Sequence, residues 1–499
     1  MRSIAGPGTQ TGGASEPGPR SRLTKVEGTL QLGQLENGMS NRGRPLRERT
    51  IWIVVTAVLA TVVVLLTFTP RILAGGEEAE TERLLSKFSE VFRFVQDNYV
   101  DADKVHSRDL FEGAMRGLFE ALGDPNSAYM SADEMYEWDD TTTGRFGGVG
   151  LVISKVDRGV EVVSPIDGTP AYRAGIHAGD LIVAVNGASV VDTELDDVLS
   201  LLRGDPGTSV TMTVLRGRSL RFDVEVVRDM IEVPTVKKAM ISGGIGYLRI
   251  SNWTLLTPDR VRDAVRYFDA NGYRALIVDV RGNPGGLLSS VLEVADFFLS
   301  KGQIVSTRSR IPSENQVYYA SARSTLVQDG LPMVALIDRG SASASEILAG
   351  ALQDSGRATI MGETSYGKGS VQQIRRVDSG AFRLTMSRFY TPLGKTIDKV
   401  GIHPDVEVQE PQLDEQEEAA MSRLIDEGLV SQFVAANPQP TEQQVQGFID
   451  ELSAKGIALP ERYVRRLIHV EQNRTNDEPP VYDLEYDTVL QRAVSLLQK

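Results

Sequence analysis

The apolar stretch IWIVVTAVLATVVVLLTFT, Ile51 to Thr69, carries no charge across 19 positions. A helix of that length crosses a hydrocarbon layer of about 30 Å. Arg42, Arg44, Arg47 and Arg49 precede it, and basic residues beside a span stay on the cytoplasmic side. The expectation is an uncleaved single-pass anchor over 50–70 in the cell membrane. Its N-terminus is then cytoplasmic and everything after Pro70 lies outside the cytoplasm. A cleaved signal peptide is the rival, since ILAGG supplies small residues behind the run. A leader of about 50 residues would be long for a signal peptide. Residues 1–49 are rich in Gly, Ser, Pro, Gln and Arg with no sustained period, and they read as a disordered cytoplasmic tail.

Past the anchor the period changes twice. LLSKFSEVFRFVQDNYV (84–100) sets Leu84, Leu85, Phe88, Val91, Phe92 and Val95 at helical spacing. DLFEGAMRGLFEAL (109–122) repeats the pattern and Gly123-Asp124-Pro125 stops it. A helical region is expected over 80–143. From Phe146, short β-rich runs (GVGLVIS, GVEVVSP, GDLIVAVNG, SVTMTVLR) are separated by Gly, Pro and Asp. TPAYRAGI and ELDDVLSLLR read as short helices between them, which gives a compact α+β module over 144–230. Over 231–410, buried-type strands YRALIVDV (273–280) and PMVALID (332–338) alternate with helices at 258–270, 288–300 and 344–354. That is an α/β layered domain. Residues 411–499 are acidic and helical and close on the amphipathic YDTVLQRAVSLLQ.

Composition narrows the chemistry. The apolar and charged fractions, 41% and 24%, are those of folded globular protein. Net charge is −14 with no basic face, which argues against a nucleic-acid partner. The absence of cysteine removes a thiol nucleophile, a Cys-zinc site and a disulfide framework. No metal-ligand cluster or phosphate loop is evident, so no cofactor is expected. A homo-oligomer stays open.

Three serines alternate with small residues in DRGSASASEI, 338–347. Ser343-Ala344-Ser345-Glu346 fits the S-x-x-E capping box of a helix start. The same placement suits a nucleophile, because unpaired N–H groups and the positive dipole end lie beside it. A serine nucleophile needs a base. His106, His177, His403 and His469 are not in glycine-rich or strand-end settings. Lys368 in GETSYGKGSVQQ (362–373) sits between Gly367 and Gly369. If a strand starts there, Lys368, Ser370 and Gln372 share a face. A lysine base must be neutral, so burial must lower its pKa, and Gln372 can orient the amine without adding charge. The plain alternative is a solvated turn lysine. RGNPGG (281–286) follows the strand ALIVDV. It is a tight turn, or one whose Gly285 and Gly286 offer N–H groups at a strand's C-terminal end.

Two resemblances organise these stretches. Gly147-Gly148-Val149-Gly150-Leu151, with Pro170-Ala171-x-x-Ala174-Gly175-Ile176-x-x-Gly179-Asp180-x-Ile182-x-x-Val185-Asn186-Gly187, resembles a PDZ domain. The resemblance implies that Gly148, Val149, Gly150 and Leu151 bind the free C-terminal carboxylate of a protein or peptide. From about Leu84 to Val408, FGGVGLVI, DVRGNPGGLL, GSASASEI, GETSYGKGSVQ and TPLGKTIDKVGIHPDVEV together resemble the carboxy-terminal processing peptidases. These are tail-specific serine proteases with a Ser/Lys dyad. The resemblance implies Ser343 as nucleophile, Lys368 as base and Gln372 as its support. It also implies an oxyanion hole made by the Ala344 N–H and one of Gly285 and Gly286. Arg203, in LLRGDPGTSV, is either a helix-end arginine favoured by the dipole or a contact that couples the PDZ module to the core or the bound tail. The expected function is a membrane-anchored endopeptidase acting on C-terminal tails. The alternative is a tethered PDZ binding protein with an inert core.

Overall fold

The computed structural model describes residues 46–499 except 157, 218, 378, 379, 410–412 and 475–479. It leaves undescribed the side chains of 46–49, 63–77, 137 and 474. Most of the expected N-terminal tail, 1–45, therefore lies outside the described residues. The chain forms two units, Met1–Val100 and Asp101–Lys499. The described part of the first is one helix, Leu46–Asn98. It begins before the expected start of the anchor and runs on through the 84–98 stretch, so the two helical patterns belong to one element. Among the described residues no helix is long and apolar enough to cross a membrane. The side chains of 63–69, the second part of the apolar run, lie outside the description. The structure therefore gives the expected span no support.

The second unit opens with the helix Ser107–Glu120, which stops before Gly123 at φ 62. The strand Ala128–Met130 and the helix Ala132–Thr143 follow, the latter opened by a Ser131/Glu134 capping box. A two-stranded ribbon, Arg145–Gly148 with Asp229–Glu232, carries the chain into and out of the β-rich module. That module is an antiparallel sheet in the order Leu151–Val156, Gly159–Pro165, Leu181–Val185, Ser209–Arg216, Leu220–Val227, with the short Ala188–Ser189 paired to the third. Val160, Val162, Ile176, Ile182, Met212 and Val214 fill its core together with Val198 and Leu202 of the helix Leu195–Leu202. Leu151–Val156 is an edge strand.

The α/β domain is built on six strands. They lie in the order Val236–Ile241, Ile245–Ile250, Ala275–Asp279, Met333–Ile337, Thr359–Gly362, Val406–Glu407. Only the first pair is antiparallel. A parallel sheet is covered on both faces, which is why its strands read as continuous apolar runs. The alternation is still visible in the packing. Leu276 and Val278 enter one core, under the helices Thr257–Ala270, Leu288–Phe298 and Ala344–Asp354, while Ala275 and Ile277 enter another on the opposite face. The closing helix, Thr488–Leu497, fills that opposite face with Val489, Leu490 and Ala493. The expected helical extension thus divides in two. Four helices between Glu415 and Arg474 gather their own apolar cluster, and the last helix belongs to the core.

A second sheet lies alongside. Gly380–Tyr390 pairs with Ala128–Met130 and Gln303–Ser309, and also with Ser370–Val377. The central parallel strands end at Asp279, Ile337 and Gly362, so RGNPGG, DRGSAS and GETSYGKG all leave from the same C-terminal edge. Open α/β sheets bind their ligands there.

Candidate active site

The three serines separate into two kinds. Ser341 is fully buried; its hydroxyl donates to the Val280 carbonyl at 2.8 Å and accepts from the Asp338 N–H at 3.0 Å. Ser345 is fully buried too, donating to the Asn283 carbonyl at 3.1 Å and accepting from the Trp253 indole N–H at 3.0 Å. Both hydroxyls are used in joining neighbouring loops. Ser343 alone is partly exposed, at the N-cap of the helix that Glu346 helps to start.

Ser343 has φ 52 and ψ −111, a sparsely populated backbone conformation for a residue with a side chain. Such conformations cost on the order of 1–3 kcal/mol and persist only where the surroundings impose them. Two contacts do so here. A Cβ on Gly285 would lie 2.8 Å from the Ser343 Cβ, so the RGNPGG turn presses directly on this residue and only glycine leaves it room. On the other side, the Ser343 N–H donates to Glu346 Oε2 at 2.7 Å.

Glu346 does more than close a capping box. It is fully buried and accepts four hydrogen bonds. Oε2 takes the Ser343 N–H and the Lys368 N–H, at 2.7 and 2.8 Å. Oε1 takes the Ser365 hydroxyl and the Gly367 N–H, at 2.6 and 2.7 Å. The backbones of Ser343 and Lys368 thus meet on a single oxygen. Burial pushes the Glu346 carboxyl up, with these four donors pulling the other way. An orphaned buried donor costs about 1–3 kcal/mol, so the arrangement is strongly specified.

The turn carrying Lys368 is clasped from outside by the loop Ile397–Gly401. A Cβ on Gly369 would sit 2.3 Å from the Asp398 N, and one on Gly367 3.0 Å from the Val400 N. The flanking glycines are therefore required by close approach. Lys368 is half-buried. Burial lowers its pKa and the nearby Arg383 guanidinium lowers it further, outweighing the opposing Asp124 and Glu346 carboxylates. It lines a cleft of about 800 Å³ with Pro284, Ala342 and Tyr366. The facing wall is Gly123 to Asn126, the stretch read from sequence only as a helix stop. Asp124 is fixed there by the Ser127 hydroxyl at 2.6 Å and the Asn126 N–H at 3.0 Å.

Gln372 lies beside Ser370 on the strand that begins at Ser370. Pairing with Gly380–Tyr390 slips between Val371 and Gln372, where Met386 is the extra residue on the partner strand. The Gln372 amide donates to the Ser370 hydroxyl at 2.8 Å and more weakly to Thr385 at 3.4 Å. Of the two glycines, Gly285 gives its N–H to Asn283 Oδ1 at 3.0 Å. The N–H groups of Gly286 and Ala344 have no hydrogen-bond partner among the described residues. In the β-rich module, the Val149 carbonyl accepts from Ala171 and the Gly150 carbonyl from Ile166, both at 2.9 Å. The N–H groups of Val149 and Gly150, both buried, are left without partners among the described residues. Leu151 opens the edge strand that follows.

Comparison with known proteins places this arrangement. Residues 244–408 match peptidase family S41, residues 161–216 match the PDZ domain, and residues 71–134 match the N-terminal domain of the activating protease CtpB. The carboxy-terminal-processing protease of Bartonella bacilliformis is 40% identical over 342 residues, which cover 67% of this chain and 77% of that one. The chain belongs to the carboxy-terminal processing proteases. CtpA of Bacillus subtilis, a carboxy-terminal processing protease, is 32% identical over 361 residues, or 72% and 76% of the two chains. Among solved structures, the photosystem II D1 C-terminal processing protease is 29% identical. It covers 64% of this chain and 92% of its own, with a TM-score of 0.39. The chain is thus a serine-type peptidase of this family with a PDZ domain, acting on peptides through their C-termini, and the inert-scaffold alternative falls away.

Sequence reasoning missed Glu346 beyond its cap role, and it missed Asp124, Asn283 and Asp338 altogether. The only sequence signal for the first was the S-x-x-E spacing. In a carboxy-terminal processing protease built this way, Ser345→Ala orphans the buried Trp253 N–H. The expected loss is about 1–3 kcal/mol of stability in urea unfolding, with peptidase activity at 25 °C kept within a few-fold. An inactive but fully stable Ser345→Ala enzyme would show that this serine does chemistry.

Proposed function

We propose that Ser343 is the nucleophile and Lys368 its general base, in a membrane-anchored endopeptidase that cuts protein substrates recognised by their C-termini. The observation that carries this reading is the shared hydrogen bonding of the Ser343 and Lys368 backbones on Glu346 Oε2, with the other two serines engaged elsewhere. Neutral Lys368 takes the Ser343 hydroxyl proton as Oγ attacks the scissile carbonyl. The oxyanion is received by the Ala344 and Gly286 N–H groups, which are already unpartnered. The ammonium of Lys368 then protonates the departing amine as the C–N bond breaks, leaving an acyl-enzyme. Neutral again, Lys368 takes a proton from water, which attacks the ester, and Ser343 regains its proton as the acid leaves. Gln372, tethered by Ser370 and Thr385, supports the amine through its carbonyl oxygen.

The pH dependence follows from the direction of the lysine shift. The active form is the free amine, so activity rises as pH passes through the Lys368 pKa, and the half-maximum falls below the ordinary lysine value of about 10.4. Ser343→Ala should abolish cleavage of an unfolded substrate with a free C-terminus. Lys368→Arg should be as inactive as Lys368→Ala, because guanidinium cannot be deprotonated at these pH values. Cleavage by Lys368→Arg with an unshifted pH profile would rule out the dyad.

The free Val149 and Gly150 N–H groups are suited to a terminal carboxylate, and the edge strand beginning at Leu151, beside Gly148, to pairing with the residues before it. Arg203 has a place in communicating that event. Its guanidinium stacks on Phe146 at 5.1 Å, and its Nε is buried without a partner. It lines a small cavity of about 160 Å³ with Asp140, Thr235, Asn252 and Thr254, where the module meets the core. Arg203→Ala should lower turnover of a free-carboxylate substrate while leaving its amidated counterpart unchanged. Equal effects on both would reduce Arg203 to a structural stack.

The uncharged run Ile51–Thr69 and the arginines before it motivate the anchor, with the peptidase domain outside the cytoplasm. Full-length protein should stay with carbonate-washed membranes, and a chain starting at Glu77 should be released. Release of the full-length chain would exclude the anchor.

A further inference from the structure

The first residue of the RGNPGG turn is held from the far end of the chain. Arg281 donates Nη1 and Nη2 to the two carboxylate oxygens of Asp487, at 2.9 and 2.6 Å. It also donates Nε and Nη2 to Asp279, at 3.0 and 2.6 Å. Asp279 is fully buried at the end of its strand and accepts from the Tyr247 hydroxyl and from Arg249 as well. The Arg281 carbonyl accepts from Arg249 at 3.2 Å. Two arginines and two aspartates balance their charges here, and the Arg281 and Asp487 side chains are each only 15% exposed.

Asp487 has a second bond. Its Oδ1 accepts from the Leu490 N–H at 2.8 Å and so caps the closing helix. One carboxylate therefore starts the helix that covers the core sheet and grips the base of the turn. From Arg281 the turn runs through Gly282, whose N–H donates to Asp338 at 2.8 Å, and Asn283, whose carbonyl accepts from the Ala342 N–H at 3.0 Å. It arrives at Gly285, against the Ser343 Cβ, and at Gly286 with its free N–H. The inner side of the turn is fastened to the nucleophile loop. Beyond the neighbouring strands, its outer side is fastened by the closing helix.

We propose that Asp487 is a positioning residue for the peptidase reaction, with the C-terminal helix holding the oxyanion turn in register with Ser343 through Arg281. The inference rests on the reading of Ser343 as nucleophile and Gly286 as an oxyanion donor. A bidentate arginine–carboxylate pair fixes orientation as well as distance, and displacing a reacting group by about 1 Å costs on the order of 100-fold in rate. Losing a contact that positions a donor acting only in the transition state lowers kcat and leaves KM alone.

The test uses Asp487→Asn in the full chain. Asparagine caps a helix about as well as aspartate, so the helix start is kept while the carboxylate charge facing Arg281 is lost. Val494→Ala, in the same helix but away from the pair, reports the effect of merely loosening the helix. Asp487→Asn is expected to lower kcat about 10- to 100-fold with KM within about twofold. Hydrogen exchange at the Gly282 and Gly285 amides should become faster. Val494→Ala should lose stability but keep kcat within about twofold. Wild-type kcat in Asp487→Asn overturns the proposal, as does unchanged exchange at the two amides. Faster exchange with kcat intact also overturns it, while the nucleophile assignment is judged separately by Ser343→Ala. An equal fall in kcat for both variants would reduce Asp487 to general stability.

Discussion

The site depends on one buried carboxylate with four donors. Without Glu346, the helix start at Ser343 and the turn at Lys368 belong to separate loops from separate strands. With it, their backbones converge on one oxygen, and Ser365 and Gly367 fill the other. A carboxylate has about four lone-pair directions, and here each meets a donor. Burial of a charge is tolerated on those terms. The same constraint explains why Ser343 can keep an unfavourable backbone conformation. The strain is small beside the desolvation of three N–H groups and a hydroxyl if the carboxylate were withdrawn.

Around this point the strand ends are cross-tied in layers. Asp338 Oδ1 accepts from Gly282, Gly340 and Ser341, and the approach of Gly340 to the Gly282 Cα, 2.9 Å from where a Cβ would stand, keeps the two turns in contact. Asn283 bonds to the Ile250 carbonyl and the Gly285 N–H and receives the Ala342 N–H and the Ser345 hydroxyl. Trp253, fully buried, takes its place in this lattice through Ser345. Glycines recur because backbones pass closer than a Cβ allows. At Gly286 a Cβ would lie 2.2 Å from the Trp253 carbonyl oxygen.

What could be read from the sequence was what periodicity and spacing encode. Two of the six core strands, Ala275–Asp279 and Met333–Ile337, and the helices at 257–270, 288–298 and 344–354 fall within a few residues of expectation, since doubly covered parallel strands and amphipathic helices leave strong patterns. Ser343, Lys368 and their glycines stood out through motif order. The register slip opposite Val371 and Gln372 did not, because a register shift has no fixed residue signature. Asp487 and Arg281 are far apart in sequence and meet through tertiary packing alone. The division of the C-terminal region was also hidden, since helical period says which face is apolar but not what it covers. The second face of a central sheet needs a cover, and the chain supplies it last.

The electrostatics of the proposed base show how far the site reaches into the chain. Burial and Arg383 favour the neutral amine, while Asp124 and Glu346 favour the ammonium. Glu346, whose own carboxyl is pushed up by burial, is the weaker opponent. Asp124 is different. Although burial acts to raise it, the Ser127, Thr385 and Asn126 contacts hold its carboxyl below the usual range, so it is charged whenever Lys368 must titrate. Asp124 lines the cleft and comes four residues before Ala128, the register partner of Arg383. The two charges of opposite sign are thus placed by neighbouring parts of one strand pair. A tripeptide that ends a helix in the sequence is, in the fold, part of the wall of the cleft that holds the lysine.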